Sequence, residues 1–369
     1  MVFEGVDFSL SPIEAARRAA AGRYIDLTSS NPTQQGLLFP PEILERAAAS
    51  YWRDRRYEPH PRGLVPAREA IAAWYQTRRP AYQPQLDDII ITASTSEAYS
   101  HLFALLTEPG DRIIGPDVTY PLFQYLAELH HLELVTYRLD PERDWRIDSA
   151  SVRAQVNERT KAILIISPHN PTGAVITEPD PVLAELGIPL ICDEVFAPFA
   201  IDVPSVPPLA GMYPSTPVFM LNGLSKLLGL PDLKLGWIIM NEAAHSFSER
   251  LELINDTYLS CSTLAQHMLP ELLREGAGFV EAMVERVRGN IAVAQHILGG
   301  HGRLELRVPA GGYNLFPRVR NCSDDEQLVV DLIGEGVLVH PGFFFDHSVD
   351  TRIMVSCLTD PERFKLGVE

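Results

Sequence analysis

Short runs of apolar and β-branched residues alternate through the middle of the chain with segments whose apolar residues recur at helical spacing. Each run has the length of one buried strand, and glycines such as Gly110 and Gly115 mark the ends of the segments. The runs cover residues 89–92, 112–114, 132–137, 162–167, 189–192, 218–221 and 235–240. This alternation predicts βαβ units around a buried, mostly parallel sheet, and therefore an α/β fold.

The pattern changes after about residue 241, where helical spacing dominates and no further run of strand character appears until residue 303. The other candidates are helices over 97–106, 122–130, 242–259 and 277–298, and strands over 303–308 and 312–316. This last part of the chain predicts a smaller α+β domain.

Charge argues against two classes of partner. The chain has 31 basic and 48 acidic residues, a net charge of −17, which repels nucleic-acid backbones and anionic lipid surfaces. Residues 1–11 lack the basic-then-apolar order of a signal peptide, and no apolar run has the length needed to span a bilayer. We therefore expect a cytoplasmic protein without a nucleic-acid or membrane partner.

The cysteines are spread along the chain, without the close pairs of a disulfide framework or a zinc site. They are Cys192, Cys261, Cys322 and Cys357. We expect free, structural thiols and no bound metal.

Three chemically capable side chains follow consecutive strand candidates: Asn170, Asp193 and Lys226. The carboxyl ends of parallel strands meet at one edge of a sheet, and ligands of α/β proteins bind at that edge. Taken singly, the three residues have ordinary explanations, namely a turn, a helix cap and a solvated loop lysine. Their succession favours a common site.

The segments around these residues resemble those of a known group of enzymes. They are Asn170-Pro171-Thr172-Gly173, Asp193-Glu194 and Ser225-Lys226. In this order and at these separations they are similar to the fold-type-I pyridoxal-phosphate enzymes, and within that group to the class I/II aminotransferases.

The resemblance extends from Asn31 to Arg352 and implies an architecture. A large cofactor-binding domain would contain a mostly parallel seven-stranded sheet, and a smaller α+β domain would follow it. We accordingly assign residues 1–40 to an amino-terminal arm with part of the small domain, 41–260 to the large domain and 261–369 to the carboxyl-terminal small domain.

The resemblance also implies roles for the three strand-end residues. Lys226 would form the Schiff base with pyridoxal phosphate, and its amine, once displaced by the substrate, would move the proton at the substrate Cα. Asp193 would face the pyridine nitrogen and keep it protonated, which preserves the electron sink of the cofactor. Asn170 would donate to the phenolic oxygen of the cofactor.

The cofactor phosphate needs donors, and Ser94, Thr95 and Ser96 supply them where a strand turns into a helix. A helix amino terminus carries free backbone N–H groups and binds anions. A simple helix cap by Ser94 or Thr95 explains the same residues, and the two interpretations are compatible.

The resemblance adds four further cofactor contacts. Ser225 matches a phosphate hydroxyl, and Tyr57 matches a tyrosine that reaches the phosphate from the other subunit of a homodimer. Tyr120 matches an aromatic ring stacked on the pyridine, and Lys234 matches a basic residue at the phosphate. Packing in the core is the alternative for Tyr57 and Tyr120.

Arg352 matches the arginine that holds the substrate α-carboxylate, because a guanidinium offers parallel donors to that planar group. Ser30 and Asn31 resemble the loop that closes over the same carboxylate, and Asn170 borders it.

Three positions depart from the family pattern. Family members often have Gly at the position of Ser30, Tyr at that of Phe196 and Arg at that of Lys234. Lys234 can still neutralise phosphate as a point charge. Phe196 lines the expected cofactor site but cannot donate to the phenolic oxygen, which leaves Asn170 as the one matched donor.

These features together predict an aminotransferase that moves an amino group from an L-amino acid to a 2-oxo acid. A lyase or decarboxylase of the same fold is the alternative, because the fold does not decide which bond at Cα breaks. A transcription regulator would need a basic DNA-binding module before Ser30, and a nicotinamide-dependent dehydrogenase would need Gly-x-Gly-x-x-Gly after a strand. We find neither feature in the sequence.

Overall fold

The computed structural model describes residues 7–53, 55–259 and 261–369. The first six residues of the predicted amino-terminal arm, and residue 260 at the predicted domain boundary, lie outside the described residues. A seven-stranded sheet forms the centre of the molecule. Its strands are β1 (Ile89–Thr92), β2 (Arg112–Pro116), β3 (Glu133–Tyr137), β4 (Thr160–Ile166), β5 (Leu190–Asp193), β6 (Val218–Gly223) and β7 (Gly236–Met240).

The strands are ordered β1-β7-β6-β5-β4-β2-β3 across the sheet. Strand β7 runs antiparallel to its neighbours β1 and β6, and all other pairs are parallel. This confirms the predicted α/β fold with a mostly parallel sheet. The carboxyl ends of the six parallel strands consequently lie at one edge.

Helices cover both faces of the sheet, and this explains why the strands are apolar without alternation. Successive residues of a strand point to opposite faces. Ile90 packs under the helices Thr95–Leu106 and Leu122–Leu129, whereas Ile91 belongs to the core on the other face. Both helices confirm the candidates at 97–106 and 122–130.

The remaining helices surround the sheet or belong to the carboxyl-terminal part of the chain. They are Pro12–Ala20, Pro41–Arg53, Val65–Gln76, Ser149–Gln155, Pro181–Leu186, Leu224–Leu227, Ser248–Thr257, Thr263–Glu275, Ala277–Leu298, Asp325–Gly334 and Pro361–Val368. The candidate at 242–259 is divided, because residues Glu242–Phe247 form a 3₁₀ helix capped by Asn241 before the α-helix begins. No helix among these described segments is long and apolar enough to cross a membrane.

Short strands join the two ends of the chain. Ile25–Asp26 pairs in parallel with Val337–Leu338, and Asn314–Leu315, Ile353–Ser356 and His340–Pro341 form a three-stranded sheet. The amino-terminal residues therefore contact the carboxyl-terminal part of the chain. The exact domain bounds remain a prediction.

Candidate active site

The candidate site lies where polar residues follow the parallel strands at one edge of the sheet. Ser94 comes after β1, Asn170 after β4, Asp193 ends β5, and Lys226 follows β6. Because β4, β5 and β6 are adjacent, their terminal residues lie side by side. The tertiary structure thus brings the predicted strand-end residues to one region.

Asp193 is a buried acid, 8% exposed. Its carboxylate accepts hydrogen bonds of 3.0 Å from the Tyr99 hydroxyl and 3.0 Å from the Val195 N–H. Burial raises the pKa of Asp193 to about 6, although these hydrogen bonds and the charge of Lys226 act to lower it. Both direct donors are neutral, so a cationic group beside this carboxylate would be favoured. Sequence reasoning missed Tyr99, which lies 94 residues away on a helix.

Glu194 points away from Asp193, because successive residues alternate in direction at a strand end. It is 1% exposed and forms an ion pair of 3.2 Å with Arg78. The Tyr75 hydroxyl also donates to it. Tyr75, in the helix Val65–Gln76, and Arg78, just after that helix, thus fix the end of β5. Only the tertiary structure identifies Glu194 as the structural member of the Asp-Glu motif.

Lys226 lies on the short helix Leu224–Leu227 and is partly buried. Its Nζ donates to Ser30 Oγ over 3.4 Å, although the two residues are 196 positions apart. Asn31 accepts hydrogen bonds from both the N–H and the hydroxyl of Thr33, which shapes the loop after Ser30. The amino-terminal loop and the candidate lysine are therefore neighbours.

The side chain of Asn170 is held by a residue that sequence reasoning missed. Its Oδ1 accepts a hydrogen bond of 2.8 Å from Asn314 Nδ2. This leaves the Asn170 amide N–H groups as donors. The peptide bond between Asn170 and Pro171 is cis, as is that between Ser167 and Pro168.

The turn after Asn170 requires a glycine. Gly173 has a φ of +74°, and a Cβ at this position would overlap Pro309. The Gly311 N–H also donates to the Gly173 carbonyl, at 2.9 Å. The glycine of this motif thus allows the carboxyl-terminal part of the chain to approach the sheet edge.

Ser94 caps the helix Thr95–Leu106 as predicted. Its hydroxyl accepts from the Glu97 N–H at 3.1 Å, and the Glu97 carboxylate accepts from the N–H of Ala93, the residue before the cap. The N–H groups of Thr95 and Ser96 begin the helix and have no intrahelical acceptor. The loop can therefore serve as a cap and as an anion site.

The other expected cofactor contacts are more exposed. Tyr120 is 47% and Tyr57 70% exposed, and neither ring packs in the core, so the core alternative for both is wrong. Lys234 is exposed in a left-handed conformation with φ +49°, and Ser225 is partly buried beside Lys226. Neither Tyr57 nor Lys234 forms a hydrogen bond or ion pair with the described residues.

Phe196 is buried, and its ring meets Tyr313 edge-on, with the centroids 4.9 Å apart. Tyr313 contacts Phe199 in the same way at 5.3 Å. Sequence reasoning missed Tyr313, because no local pattern distinguishes a tyrosine at a site from one in a core.

Arg352 is 8% exposed and is surrounded by partners. Its Nε and Nη2 donate to the Asp350 carboxylate at 2.7 and 3.1 Å, and Nη1 donates to the Phe316 carbonyl at 3.1 Å. The guanidinium carbon lies 4.7 Å from the centroid of the Trp145 ring. Each terminal nitrogen has a second N–H, so a planar carboxylate can still be bound.

Asp350 is the centre of this arrangement. It also contacts His347 Nε2 at 2.6 Å and Arg318 Nε at 3.0 Å. Burial acts to raise the pKa of Asp350, but hydrogen bonds from His347 and Arg352 outweigh it and hold the pKa below its usual value. Asp350 therefore stays ionised and orients the Arg352 guanidinium.

A cavity of about 760 Å³ lies beside this arginine. Its wall includes Trp145, His169, Asn314, Phe316 and Arg352, from both the large sheet region and the carboxyl-terminal part. Lys226, Asp193 and Asn170 do not line it. The cavity therefore adjoins the Arg352 side of the candidate site and is separate from the strand-end residues.

Comparison with known proteins identifies the family. The family model for aminotransferase class I and II matches residues 23–367. An alanine aminotransferase of Mycobacterium tuberculosis is 29% identical over 349 residues, which cover 90% of this chain and 81% of that protein. The glutamate-pyruvate aminotransferase AlaA of Escherichia coli is 28% identical over 349 residues, covering 90% and 86%.

Solved structures agree with this result. An aminotransferase from Escherichia coli superposes with a TM-score of 0.85 at 25% identity, covering 99% of this chain and 95% of that chain. An alanine aminotransferase from Pyrococcus furiosus superposes with a TM-score of 0.86 at 23% identity, covering 99% and 98%, and supports the fold. The chain belongs to the class I and II aminotransferase family.

Proposed function

We propose that Lys226 binds pyridoxal phosphate as a Schiff base, and that amino-group transfer between an L-amino acid and a 2-oxo acid takes place at this lysine. Membership of the family makes the protein a pyridoxal-phosphate-dependent aminotransferase. The proposal concerns which residues of this chain carry out the reaction.

The observation that carries the proposal is the buried Asp193 carboxylate beside the amine of Lys226, at the ends of neighbouring strands. A buried acid with a raised pKa and neutral donors fits the protonated pyridine nitrogen of the cofactor. When bound, the cofactor supplies the electron sink that stabilises negative charge at the substrate Cα. Lys226 Nζ would take the proton from the substrate Cα and deliver it to the C4′ atom of the cofactor.

The other residues hold the ends of the cofactor. The N–H groups of Thr95 and Ser96 and the hydroxyls of Ser94 and Ser225 would bind the phosphate, and Lys234 would contribute charge. Asn170 would donate to the phenolic oxygen, since its Oδ1 is engaged by Asn314 and its N–H groups are not.

Two further residues complete the cofactor site in this proposal. Tyr120, exposed at the edge of the sheet, would stack on the pyridine ring. The 70% exposed Tyr57 would reach the phosphate of a second subunit, which requires a homodimer with shared sites. We further propose that the enzyme acts in the cytoplasm.

Arg352 would bind the substrate α-carboxylate with those guanidinium N–H groups that do not donate to Asp350 or to the Phe316 carbonyl. Asn170 would contact the same carboxylate, and Ser30 and Asn31 would close over it from the loop that touches Lys226. Because relatives are named alanine and glutamate-pyruvate aminotransferases, we propose alanine, glutamate and pyruvate as the first substrates to test.

Half-reactions test the proposal. The purified holoenzyme is mixed with one amino acid at a time, without 2-oxo acid, and the cofactor absorbance is followed together with the products. Conversion to the pyridoxamine form with one equivalent of 2-oxo acid supports amino transfer. Release of ammonia with pyruvate, or of carbon dioxide, would instead assign a lyase or a decarboxylase.

A further inference from the structure

The phenyl ring of Phe196 contacts a phenol whose oxygen has no partner. Tyr313 is 3% exposed, its ring lies edge-on to that of Phe196, and its hydroxyl forms no hydrogen bond with the described residues. A buried hydroxyl without a partner costs free energy, and such groups are rare in folded proteins. The unpaired Tyr313 hydroxyl therefore indicates an acceptor that the polypeptide does not supply.

The backbone around Tyr313 is fixed on several sides. Its carbonyl accepts from the Cys357 N–H at 2.7 Å, and the Gly312 N–H donates to the Phe199 carbonyl at 2.8 Å. The next residue, Asn314, donates to Asn170 at 2.8 Å. Tyr313 is thus held between the residues after β5 and Asn170. Asn170 is the residue that we propose as a donor to the phenolic oxygen of the cofactor.

We propose that Tyr313 replaces the phenol that is missing at position 196, and that its hydroxyl donates a hydrogen bond to the phenolic oxygen of pyridoxal phosphate, beside Asn170. The inference rests on the proposed function, because it requires the cofactor to be bound at Lys226. Tyr313 comes from the carboxyl-terminal part of the chain, so this donor reaches the site from a different element than a tyrosine at position 196 would.

The test is a spectrophotometric pH titration of the lysine-bound cofactor in the holoenzyme. A hydrogen bond to the phenolic oxygen stabilises its anion and favours loss of the imine proton. Tyr313→Phe removes the bond with little change in volume, and we expect it to raise the pKa of the imine by about one unit or more. Tyr213→Phe is the control, because Tyr213 is also buried but its hydroxyl accepts from the Asp180 N–H.

A double variant tests the assignment of the position. Adding Phe196→Tyr to Tyr313→Phe returns a phenol to the same part of the site, and we expect the pKa of the imine to fall again. A Tyr313→Phe curve that overlays the wild-type curve, or an equal shift in Tyr213→Phe, overturns the inference. Absence of any imine absorbance in the wild-type holoenzyme would instead overturn the assignment of Lys226.

Discussion

Burial controls the protonation of Asp193 and gives its charge a defined pH dependence. Its pKa is raised from 3.8 to about 6, so the folded protein without cofactor takes up a proton as the pH falls through about 6, before the unfolded chain does at about 3.8. Asp193 protonation thus favours the folded cofactor-free protein at low pH. Below about pH 6 the cofactor-free protein would have to release this proton before the carboxylate could pair with a cationic pyridine nitrogen.

We expect Asp193→Asn to weaken cofactor binding and to lower turnover by two to three orders of magnitude, about 3–4 kcal/mol, because a buried electrostatic partner is removed. The dissociation constant of the cofactor, measured from pH 8 to pH 5, should rise below about pH 6 more steeply in wild type than in the variant. Asp148→Asn, at an exposed helix cap, is the control. Near-normal turnover in Asp193→Asn would refute the role of this carboxylate.

Lys226→Ala should retain the cofactor only noncovalently, because the other proposed contacts survive whereas the imine cannot form. The chain has four lysines, Lys161, Lys226, Lys234 and Lys365, so borohydride reduction and peptide mapping give an unambiguous answer. Lys161→Ala serves as the matched control and should be labelled like wild type. A label on another lysine of the wild-type protein would show that the assignment is wrong.

In the proposed site, Asp350 would act on the substrate through Arg352, which donates to it. Replacing it with Asn removes the anion that orients the guanidinium, and we expect KM for the amino acid to rise about tenfold, equivalent to about 1.4 kcal/mol, with a smaller change in kcat. Glu185→Gln, which breaks the exposed ion pair with Arg153, should leave KM unchanged. Equal KM values for Asp350→Asn and wild type would exclude this positioning role.

The turn between β4 and the following segment shows how one element serves both the fold and the site. Gly173 and Gly187 both have positive φ values, +74° and +62°, so alanine strains the backbone at either position. Only at Gly173 would the new Cβ also overlap another segment, at Pro309. The comparison therefore separates backbone strain from steric overlap.

We expect Gly173→Ala to lower the free energy of unfolding by about 1–3 kcal/mol more than Gly187→Ala does, because of the overlap. It should also weaken cofactor binding, since the same turn carries Asn170. Denaturant unfolding and cofactor titration measure the two effects. Equal losses in both variants would mean that Pro309 moves aside without cost.

For the whole molecule, the exposed Tyr57 leads us to expect a homodimer in which each site contains residues of both subunits. Tyr57→Ala and Lys226→Ala, each inactive alone, should regain activity when their subunits are exchanged, because one site of the mixed dimer carries neither change. Lys226→Ala mixed with Asp193→Asn is the control. Lys226 and Asp193 of one site belong to the same subunit, so each site of that mixed dimer carries one change and activity should not return. Mixed dimers of the first pair without activity would contradict shared sites.

The seven strands and their approximate bounds could be predicted from the sequence, because all strands except the partly exposed edge strand β3 are buried on both faces and contain a continuous apolar run. The candidate residues Asn170, Asp193 and Lys226 could be found for a related reason. They follow those runs directly, and chain direction alone decides at which edge of a parallel sheet they lie.

The partners of these residues were decided by the tertiary structure alone. Tyr99 reaches Asp193, Asn314 reaches Asn170, and Tyr313 meets Phe196 across separations of 94, 144 and 117 residues along the chain. Hydrophobic periodicity and local motifs carry no information about such contacts, because they depend on how whole elements pack. The sequence by itself therefore determined the sheet, the family and the strand-end groups, whereas packing between distant segments decided how those groups are charged, oriented and bonded.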